Sequence, residues 1–376
     1  MRLRQLTLIV GLVLLTTFTM RAQNAQVGYY PHPPGTTHEK LYVNSQGAPI
    51  NNLTIIDVPT LKVIKKMTIG AEPHGVAAPK SQDVLYISSM HDGTVQKIDT
   101  VKDEIVKVWG GFGVEPEEND ITPDGRFLYQ PSYAGYWSVF DTQKEEIVAY
   151  IHTLGIGHNT LIDAQGHFAY LFPLKGDPGH WRRPSLGLAR TMPNEVTVVD
   201  ITKNHQVVGT IPVGDGPRPP ILSADGKRMY MNVDRLMGFL VIDVPARKVI
   251  SKATFALTPD EQASGANAHA HGIAIANNGK EVWTNDTVHN TTYVFDVTVL
   301  PPKQIAKFPV GSGPYWIVPS QDGMTIFVAC PGSDEMVVFD VAAKKEKTRL
   351  KFPAGDRPTR MIDLAVPVTP AARTSR

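Results

Sequence analysis

The 376-residue chain has a single cysteine, Cys330, so no disulfide can form within it and core burial with strand pairing must hold the fold. A c-type haem attachment motif needs two cysteines and is also excluded. Cys330 lies in the apolar run TIFVAC, with no histidine or other base beside it in the sequence. We therefore expect a buried, unreactive thiol rather than a nucleophile.

The sequence also lacks an excess of charge of either sign. Its 37 Lys and Arg residues face 36 Asp and Glu residues, for a formal net charge of +1. Such a balance favours neither nucleic acid nor an anionic membrane as a partner. A small-molecule ligand or a protein partner is expected instead.

A long apolar run occurs near the N-terminus, in residues 1–25. Basic Arg2 and Arg4 precede the run LTLIVGLVLL, and small and polar residues follow it. This is the layout of a signal peptide, and the run is short for a retained membrane anchor, which needs about 20 apolar residues. Removing this segment would delete three arginines and no acid, changing the net charge from +1 to −2. We expect a periplasmic or secreted monomer with no stable membrane span.

Seven segments of the chain end alike, in an apolar run followed by aspartate: TIIDV, QKIDT, SVFDT, TVVDI, LVIDV, YVFDV and VVFDV. The aspartates are Asp57, Asp99, Asp141, Asp200, Asp243, Asp296 and Asp340. Their successive spacings are 42, 42, 59, 43, 53 and 44 residues. A period of about 42 residues with four short apolar runs is typical of one propeller blade, and the two long spacings indicate insertions.

A second marker precedes each later aspartate, in segments such as TPDGRFLY and SADGKRMY. Glycine accepts a positive φ, so these segments predict tight hairpin turns. Together the markers predict an all-β, seven-bladed β-propeller with four-stranded antiparallel blades. The first unit lacks an innermost strand, and the C-terminal RMIDLAVP can supply it, closing the ring and removing two sheet edges. The predicted plan is a lead at 26–39, the propeller at 40–367 and a disordered tail at 368–376.

The spaced VG-x-GP, SADG-like and VIDV-like elements resemble the YVTN-type propeller repeat of bacterial surface and periplasmic proteins. That repeat is related to lactonase-type seven-bladed propellers. The resemblance covers roughly residues 40–367 and implies the seven-bladed fold. Through the lactonase-type relatives it also implies hydrolysis or closure of a lactone by His, Glu and Arg at the axial mouth.

The first residues of the seven innermost strands are the candidate site. Each innermost strand starts at one face, and the loop between the second and third strands returns to that face, so these positions converge on the axial mouth. Aligned on the hairpin marker, the converging residues are His74, Glu117 or Glu118, His158, Arg218 or Pro219, His271, Tyr315, and Thr359 or Arg360.

Residue type suggests catalytic and metal-binding roles for part of this ring. His158 and His271 titrate near neutrality and, with Glu117, are the candidate acid and base groups. His74, His158 and His271 come from blades two, four and six, so their imidazoles could instead bind a divalent metal with a Glu. The cofactor is therefore left open.

The remaining candidates are assigned to substrate binding. Arg218 and Arg360 offer guanidinium groups that match a carboxylate, and Tyr315 lies on the same ring. The insertion in the fourth blade adds Trp181 and Arg182, which would cover the mouth. Other polar residues of this face, such as Asp286 and His289, are expected to be solvated turn residues.

Two functions of different classes remain. The first is binding of a small molecule in the mouth, with lactonase-like hydrolase or lyase activity. The second is a non-catalytic periplasmic or cell-surface module that binds a protein, for which Trp181 beside Arg182 would suit a contact hot spot. Elemental analysis of the mature protein would separate the metal alternative from both.

Overall fold

A computed structural model describes residues 35–46, 51–153, 155–174, 194–265 and 268–368. These residues form seven four-stranded antiparallel sheets, the blades of a β-propeller, as predicted. The predicted signal peptide, Trp181 and Arg182 lie outside the described residues, as does nearly all of the predicted tail. Within the described residues, no helix has the length and apolar character needed to cross a membrane.

The strands follow the blade order along the chain. The first blade contains β28 (Pro358–Pro367), β1 (Thr37–Ser45), β2 (Asn52–Asp57) and β3 (Lys62–Thr68). The second contains β4 (Pro73–Ala77), β5 (Val84–Ser89), β6 (Thr94–Asp99) and β7 (Glu104–Trp109), and the third β8 (Asp120–Ile121), β9 (Phe127–Ser132), β10 (Tyr136–Asp141) and β11 (Glu146–His152). The fourth contains β12 (Ile156–Ile162), β13 (Phe168–Leu174), β14 (Glu195–Asp200) and β15 (Gln206–Pro212), and the fifth β16 (Pro217–Leu222), β17 (Arg228–Val233), β18 (Gly238–Asp243) and β19 (Lys248–Thr254). The sixth contains β20 (Ala270–Ala276), β21 (Glu281–Asp286), β22 (Thr291–Asp296) and β23 (Lys303–Pro309), and the seventh β24 (Trp316–Pro319), β25 (Thr325–Cys330), β26 (Glu335–Asp340) and β27 (Lys345–Lys351). A 3₁₀ helix occupies Ile201–Lys203, and the helix α1 occupies Pro259–Ser264 in the insertion before β20.

The two ends of the chain close the ring. β28 is the innermost strand of the first blade and pairs antiparallel with β1 from Thr37↔Pro367 to Ser45↔Pro358. The C-terminal strand thus supplies what the first repeat lacks, as predicted, and covers two sheet edges that would otherwise be exposed.

Apolar side chains pack between the blades. The buried hydrophobic residues of the described chain form seven clusters, and each cluster joins two neighbouring blades. Cys330 belongs to the cluster between blades six and seven, and its burial, which raises the thiol pKa to about 12, agrees with the predicted unreactive thiol. Because every blade depends on two neighbours, the ring is held by a closed series of similar interfaces.

The repeated aspartates end the third strand of every blade, as predicted. In each turn that follows, a backbone N–H donates to the aspartate carboxylate, for example Thr60 to Asp57 and Ala343 to Asp340. This places the repeated residue at the face opposite the start of the innermost strands. Its role in the fold is to fix a turn.

Candidate functional site at the axial mouth

The seven innermost strands direct their first residues to one end of the axis. The residues there are His74 on β4, Glu117 and Glu118 just before β8, His158 on β12, Arg218 on β16, His271 on β20, Tyr315 just before β24, and Arg360 on β28. Where the sequence left alternatives, both glutamates, Arg218 and Arg360 make the side-chain contacts described below. The hydroxyl of Thr359 instead donates to the carbonyl oxygen of Arg357.

β-Bulges aim these side chains. The pairing register shifts between Pro73 and Val76, between Gly157 and Asn159, between Pro217 and Pro220, and between Ala270 and Ile273. A further shift accompanies Arg360 on β28. A bulge places two residues opposite one and so turns a side chain out of the regular alternation. In five blades the candidate residue lies at such a bulge, which presents it to the axis.

Glycines beside the histidines let neighbouring innermost strands approach closely. Gly272 follows His271 with φ +83°, and a Cβ there would lie 2.5 Å from the carbonyl oxygen of Tyr315. Gly75 follows His74, and a Cβ there would lie 2.6 Å from the carbonyl oxygen of Glu117. Only glycine fits these contacts without displacing the next blade.

Arg360 is the centre of the cluster. Its side chain is fully buried, and its Nε donates to Glu118 Oε2 at 2.6 Å while Nη2 lies 2.6 Å from His74 Nε2. The guanidinium carbon stands 4.2 Å from the ring centroid of Trp316 and 4.7 Å from that of Tyr315. Its third nitrogen, Nη1, has no hydrogen-bond partner among the described residues. A buried guanidinium nitrogen without a partner is costly, which makes Nη1 a candidate to meet a ligand oxygen.

His74 links Arg360 to Glu117. Its Nε2 lies 2.7 Å from Glu117 Oε2 as well as 2.6 Å from the guanidinium, and its Nδ1 lies 3.2 Å from Gln46 Nε2. The guanidinium can only donate, whereas the carboxylate accepts, so the two neighbours make opposite demands on one ring nitrogen. Because the amide nitrogen of Gln46 can only donate to Nδ1, the ring hydrogen lies on Nε2, where it can donate to Glu117.

Glu117 is fixed by the blades on both sides. Its carbonyl oxygen accepts hydrogen bonds from Ser88 and Gln130, and the N–H of Glu118 donates to the carbonyl oxygen of His158. Burial raises the pKa of the Glu117 carboxyl, but the electrostatic effect of the neighbouring His74, His158 and Arg360, together with a hydrogen bond from His74, outweighs burial and lowers the pKa to about 2. Glu117 is therefore a carboxylate at neutral pH.

His158 lies beside this carboxylate as a neutral imidazole. Its Nε2 is 4.0 Å from Glu117 Oε2, and its buried Nδ1 has no partner among the described residues. Burial lowers the pKa of His158, and the charges of Arg218 and Arg360 lower it further, to about 3, although Glu117 opposes them. His158 therefore directs Nε2 towards Glu117 and keeps a second ring nitrogen, Nδ1, without a partner among the described residues.

His271 occupies the opposite side of the mouth. Its ring stacks on Tyr315 with centroids 3.9 Å apart, and Nδ1 lies 3.0 Å from the carbonyl oxygen of Tyr315. Donation from Nδ1–H to that oxygen leaves Nε2 as an acceptor, and Nε2 has no partner among the described residues. Burial, followed by the charge of Arg360, lowers the pKa of His271 well below its usual value.

Arg218 forms a second, shallower cation. Its Nε donates to Asp234 Oδ1 at 2.5 Å, and its side chain is 23% exposed. His269 stands on the same side, with Nδ1 3.7 Å from Asp234 Oδ1. Burial and then the charge of Arg218 lower the pKa of His269 to about 4. The mouth therefore contains two guanidinium groups, of which Arg360 is fully buried and Arg218 is partly exposed.

Comparison with known proteins agrees with this architecture. The family model for the seven-bladed β-propeller lactonases matches residues 35–359. The chain belongs to this lactonase family. Among curated proteins, no match is found.

Several solved structures share the fold of this lactonase-family chain, although their sequence identity to it is low. The periplasmic gluconolactonase of Pseudomonas aeruginosa matches with a TM-score of 0.70 and 16% identity over 88% of this chain and 99% of that one. A Bacteroides fragilis protein provisionally assigned as a 6-phosphogluconolactonase matches with a TM-score of 0.65 and 15% identity, over 89% of this chain and 100% of that one. Hydrazine synthase of Kuenenia stuttgartiensis matches with a TM-score of 0.65 and 17% identity, over 83% of this chain and 97% of that one. At such identities the likeness establishes the fold alone.

The geometry of the mouth does not favour the hypothesis that His74, His158 and His271 bind a divalent metal. Within the described ranges, no group of three or more His, Cys, Asp or Glu side chains is arranged to hold a metal ion. Of the three imidazoles proposed as ligands, His74 contacts Arg360 and His271 stacks on Tyr315. A divalent cation would meet the fixed positive charge of Arg360 there.

Several contributors were missed from the sequence. Trp316 packs on the guanidinium of Arg360, and Tyr133, in the loop after β9, hydrogen-bonds to Glu117. The position of Tyr133 between a second and a third strand could have identified it, because those loops return to the mouth. Asp286 was expected to be solvated, which is wrong: it is fully buried because the turn after β21 folds over it.

Proposed function

We propose that this protein binds a small organic anion or lactone at the axial mouth and hydrolyses the lactone to its hydroxy acid. Membership of the lactonase family and the gluconolactonases among the structural relatives support the reaction class. The observation that carries the proposal is the buried Arg360, held by Glu118 and His74 with Nη1 unoccupied. A guanidinium fixed in this way suits an oxygen that gains negative charge.

The residues around Arg360 fit the steps of lactone hydrolysis. Arg360 Nη1 would donate to the lactone carbonyl oxygen and stabilise the oxyanion that forms when water attacks. His158, neutral and with Nδ1 unoccupied, would take the proton from water and return it to the ring oxygen as the C–O bond breaks. The oxyanion would offset the two guanidinium charges that lower the pKa of His158, so its basicity would rise during the step.

Glu117 and Arg218 have supporting roles in the proposal. Glu117 lies 4.0 Å from His158 and would stabilise the imidazolium that forms. Arg218, at the rim, would attract the anionic product or an acidic substituent of the substrate.

The test is the rate of acid release from D-glucono-1,5-lactone and from a simple aliphatic δ-lactone, followed by pH-stat at neutral pH. We expect catalysis above the spontaneous rate, with at least about a 100-fold loss of kcat/KM in Arg360→Lys and His158→Gln. Arg228→Lys, at the opposite face, is the matched control and should retain activity. A folded wild-type protein that leaves the spontaneous rate unchanged for both lactones would refute hydrolysis. Lactone binding without turnover would support small-molecule binding at the mouth and refute catalysis.

We propose that the protein acts in the periplasm or outside the cell. The basic and apolar layout of residues 1–25 supports export. The mass and N-terminal sequence of protein recovered from the periplasmic fraction should correspond to cleavage after Ala22 or Ala25. An intact N-terminus in the cytoplasm would contradict export.

A further inference from the structure

A second group of polar side chains lies on the sixth blade, outside the axial cluster. Ser264 is the last residue of α1, His289 is in the loop between β21 and β22, and Asp286 ends β21. Ser264 Oγ is 2.9 Å from His289 Nε2, and His289 Nδ1 is 2.7 Å from Asp286 Oδ2. We propose that these residues form a separate acyl-transfer site, with Ser264 as a nucleophile towards carboxylic esters.

The carboxylate of Asp286 sets the tautomer of His289. Asp286 is fully buried, and its Oδ1 accepts the backbone N–H groups of Val288 at 3.0 Å and of His289 at 2.9 Å. Its Oδ2 faces His289 Nδ1, which must therefore carry the hydrogen. With the hydrogen on Nδ1, Nε2 is the nitrogen that faces Ser264, the arrangement in which a histidine accepts a proton from a serine hydroxyl.

The helix α1 holds Ser264 in reach of this imidazole. Thr258 and Glu261 form a capping box at the helix start, and Gly265 follows its end. A Cβ at Gly265 would lie 3.3 Å from His289 Cε1, so a glycine there lets the imidazole pack close to the helix end. Ser264 is exposed, and an ester can therefore approach its hydroxyl from solvent.

Neighbouring backbone groups set the expected rate. Ser264 Oγ also lies 2.9 Å from the carbonyl oxygen of Asp260 and 3.2 Å from that of Glu261, so its proton is shared among three acceptors. The N–H of Gly265 donates to Glu261 and cannot serve as an oxyanion donor. Because one such donor is worth roughly 100- to 1,000-fold in rate, we expect acylation by activated esters and slow turnover.

His289 carries each proton that the proposed reaction transfers. Ser264 Oγ bonds to the carbonyl carbon while its proton passes to His289 Nε2. The alcohol of the ester leaves and takes that proton. Water then attacks the acyl-serine, gives a proton to His289, and releases the carboxylic acid as that proton returns to Ser264.

The probe is a fluorophosphonate, which phosphonylates activated serines and releases fluoride, followed by intact mass and peptide mapping of the folded full chain. We expect one adduct, on Ser264, that is absent in Ser264→Ala and forms at least tenfold more slowly in His289→Gln. Ser81, an exposed serine whose hydroxyl donates to Asp83 rather than facing an imidazole, is the internal control.

Either of two labelling results would overturn the proposal: labelling of Ser264 no faster than that of Ser81, or labelling that His289→Gln leaves unchanged in a protein with wild-type melting. The Ser264→Ala protein should retain whatever lactone hydrolysis the wild type has at the axial mouth. Loss of that activity together with the label would show a single site and would also refute a separate acyl-transfer function.

Discussion

The two faces of the propeller differ in how closely they follow the sequence repeat. At one face the third strand of each blade ends in an aspartate that accepts a backbone N–H of the next turn. At the other face the innermost strands begin with residues that change from blade to blade, and these residues meet around Arg360. Residues that repeat serve the fold, whereas residues that depart from the repeat form the candidate site.

The electrostatics of the two faces differ in the same way. At the repeated face, local contacts act: hydrogen bonds from the side chains of Thr60 and His38 lower the pKa of Asp57. At the mouth, burial and charges from other blades act together, as for Glu117 and His158. A substitution at the mouth should therefore alter several groups, and one at the repeated face should alter a single turn.

The largest difference is expected when a buried ion pair is compared with an exposed one. Arg360→Met would leave Glu118 buried without its partner, and we expect a loss of about 3 to 5 kcal/mol of unfolding free energy, measured in urea. Arg228→Met is the matched control, because Arg228 pairs with Asp243 at 2.7 Å but is 40% exposed. Little change is expected there. Equal losses for the two variants would remove the distinction between the faces.

A comparison of two glycines of similar φ separates close packing from backbone strain. Gly272 has φ +83° with the carbonyl oxygen of Tyr315 in the way of a Cβ, whereas Gly279 has φ +81° with open space around it. Gly279→Ala should cost about 1 kcal/mol from strain alone. Gly272→Ala should cost more and also reduce ligand binding, because the stacking partner of His271 must move. If both variants have the same melting temperature, the close approach of Gly272 to Tyr315 does not contribute to stability.

The buried histidines predict an acid sensitivity that belongs to the mouth. His158 has a pKa of about 3 in the folded state, against roughly 6.5 when unfolded, so the unfolded chain binds a proton that the folded chain does not as pH falls below about 6.5. Stability should then decrease on acidification from pH 7 to 5, by at most about 1.4 kcal/mol per pH unit for each such group. His158→Gln should flatten this slope in urea titrations. A slope identical to the wild type would mean that His158 is protonated in the folded protein.

The smallest effect is expected for a single repeated aspartate. Asp340 accepts the N–H of Ala343 at 2.7 Å, and Asp340→Ala should cost about 1 kcal/mol of unfolding free energy. Lactone hydrolysis should not change, because the turn lies at the face opposite the mouth. A fall in kcat/KM with little loss of stability would show that the faces are coupled.

The fold could be predicted from the sequence because its markers recur at fixed offsets. An aspartate in every blade and a hairpin turn, with glycine in five of the blades, define the strands, and the missing first strand defines the closure by β28. The residues that reach the mouth were predicted only as a ring of alternatives, such as Thr359 or Arg360. The β-bulges decide between neighbours, and a bulge has no distinct sequence pattern in a strand of buried residues.

Contacts between blades were harder still to predict. The stacking of Trp316 on Arg360 joins strands that are distant in sequence, so no local spacing indicates it. The contact of Ser264 with His289 likewise depends on how an insertion folds back over its own blade. The sequence identifies such residues by type, and the fold determines which of them meet.

We propose that the residues departing from the repeat form one anion-binding site around Arg360. Isothermal titration of the wild-type protein, Arg360→Lys and Arg228→Lys with D-gluconate, the carboxylate product of gluconolactone, tests it most directly. We expect binding that Arg360→Lys weakens at least tenfold and that Arg228→Lys leaves unchanged, because lysine cannot reproduce the three-nitrogen geometry of the guanidinium. Undetectable binding to the wild type, or equal affinity in all three proteins, would show that Arg360 does not form an anion-binding site.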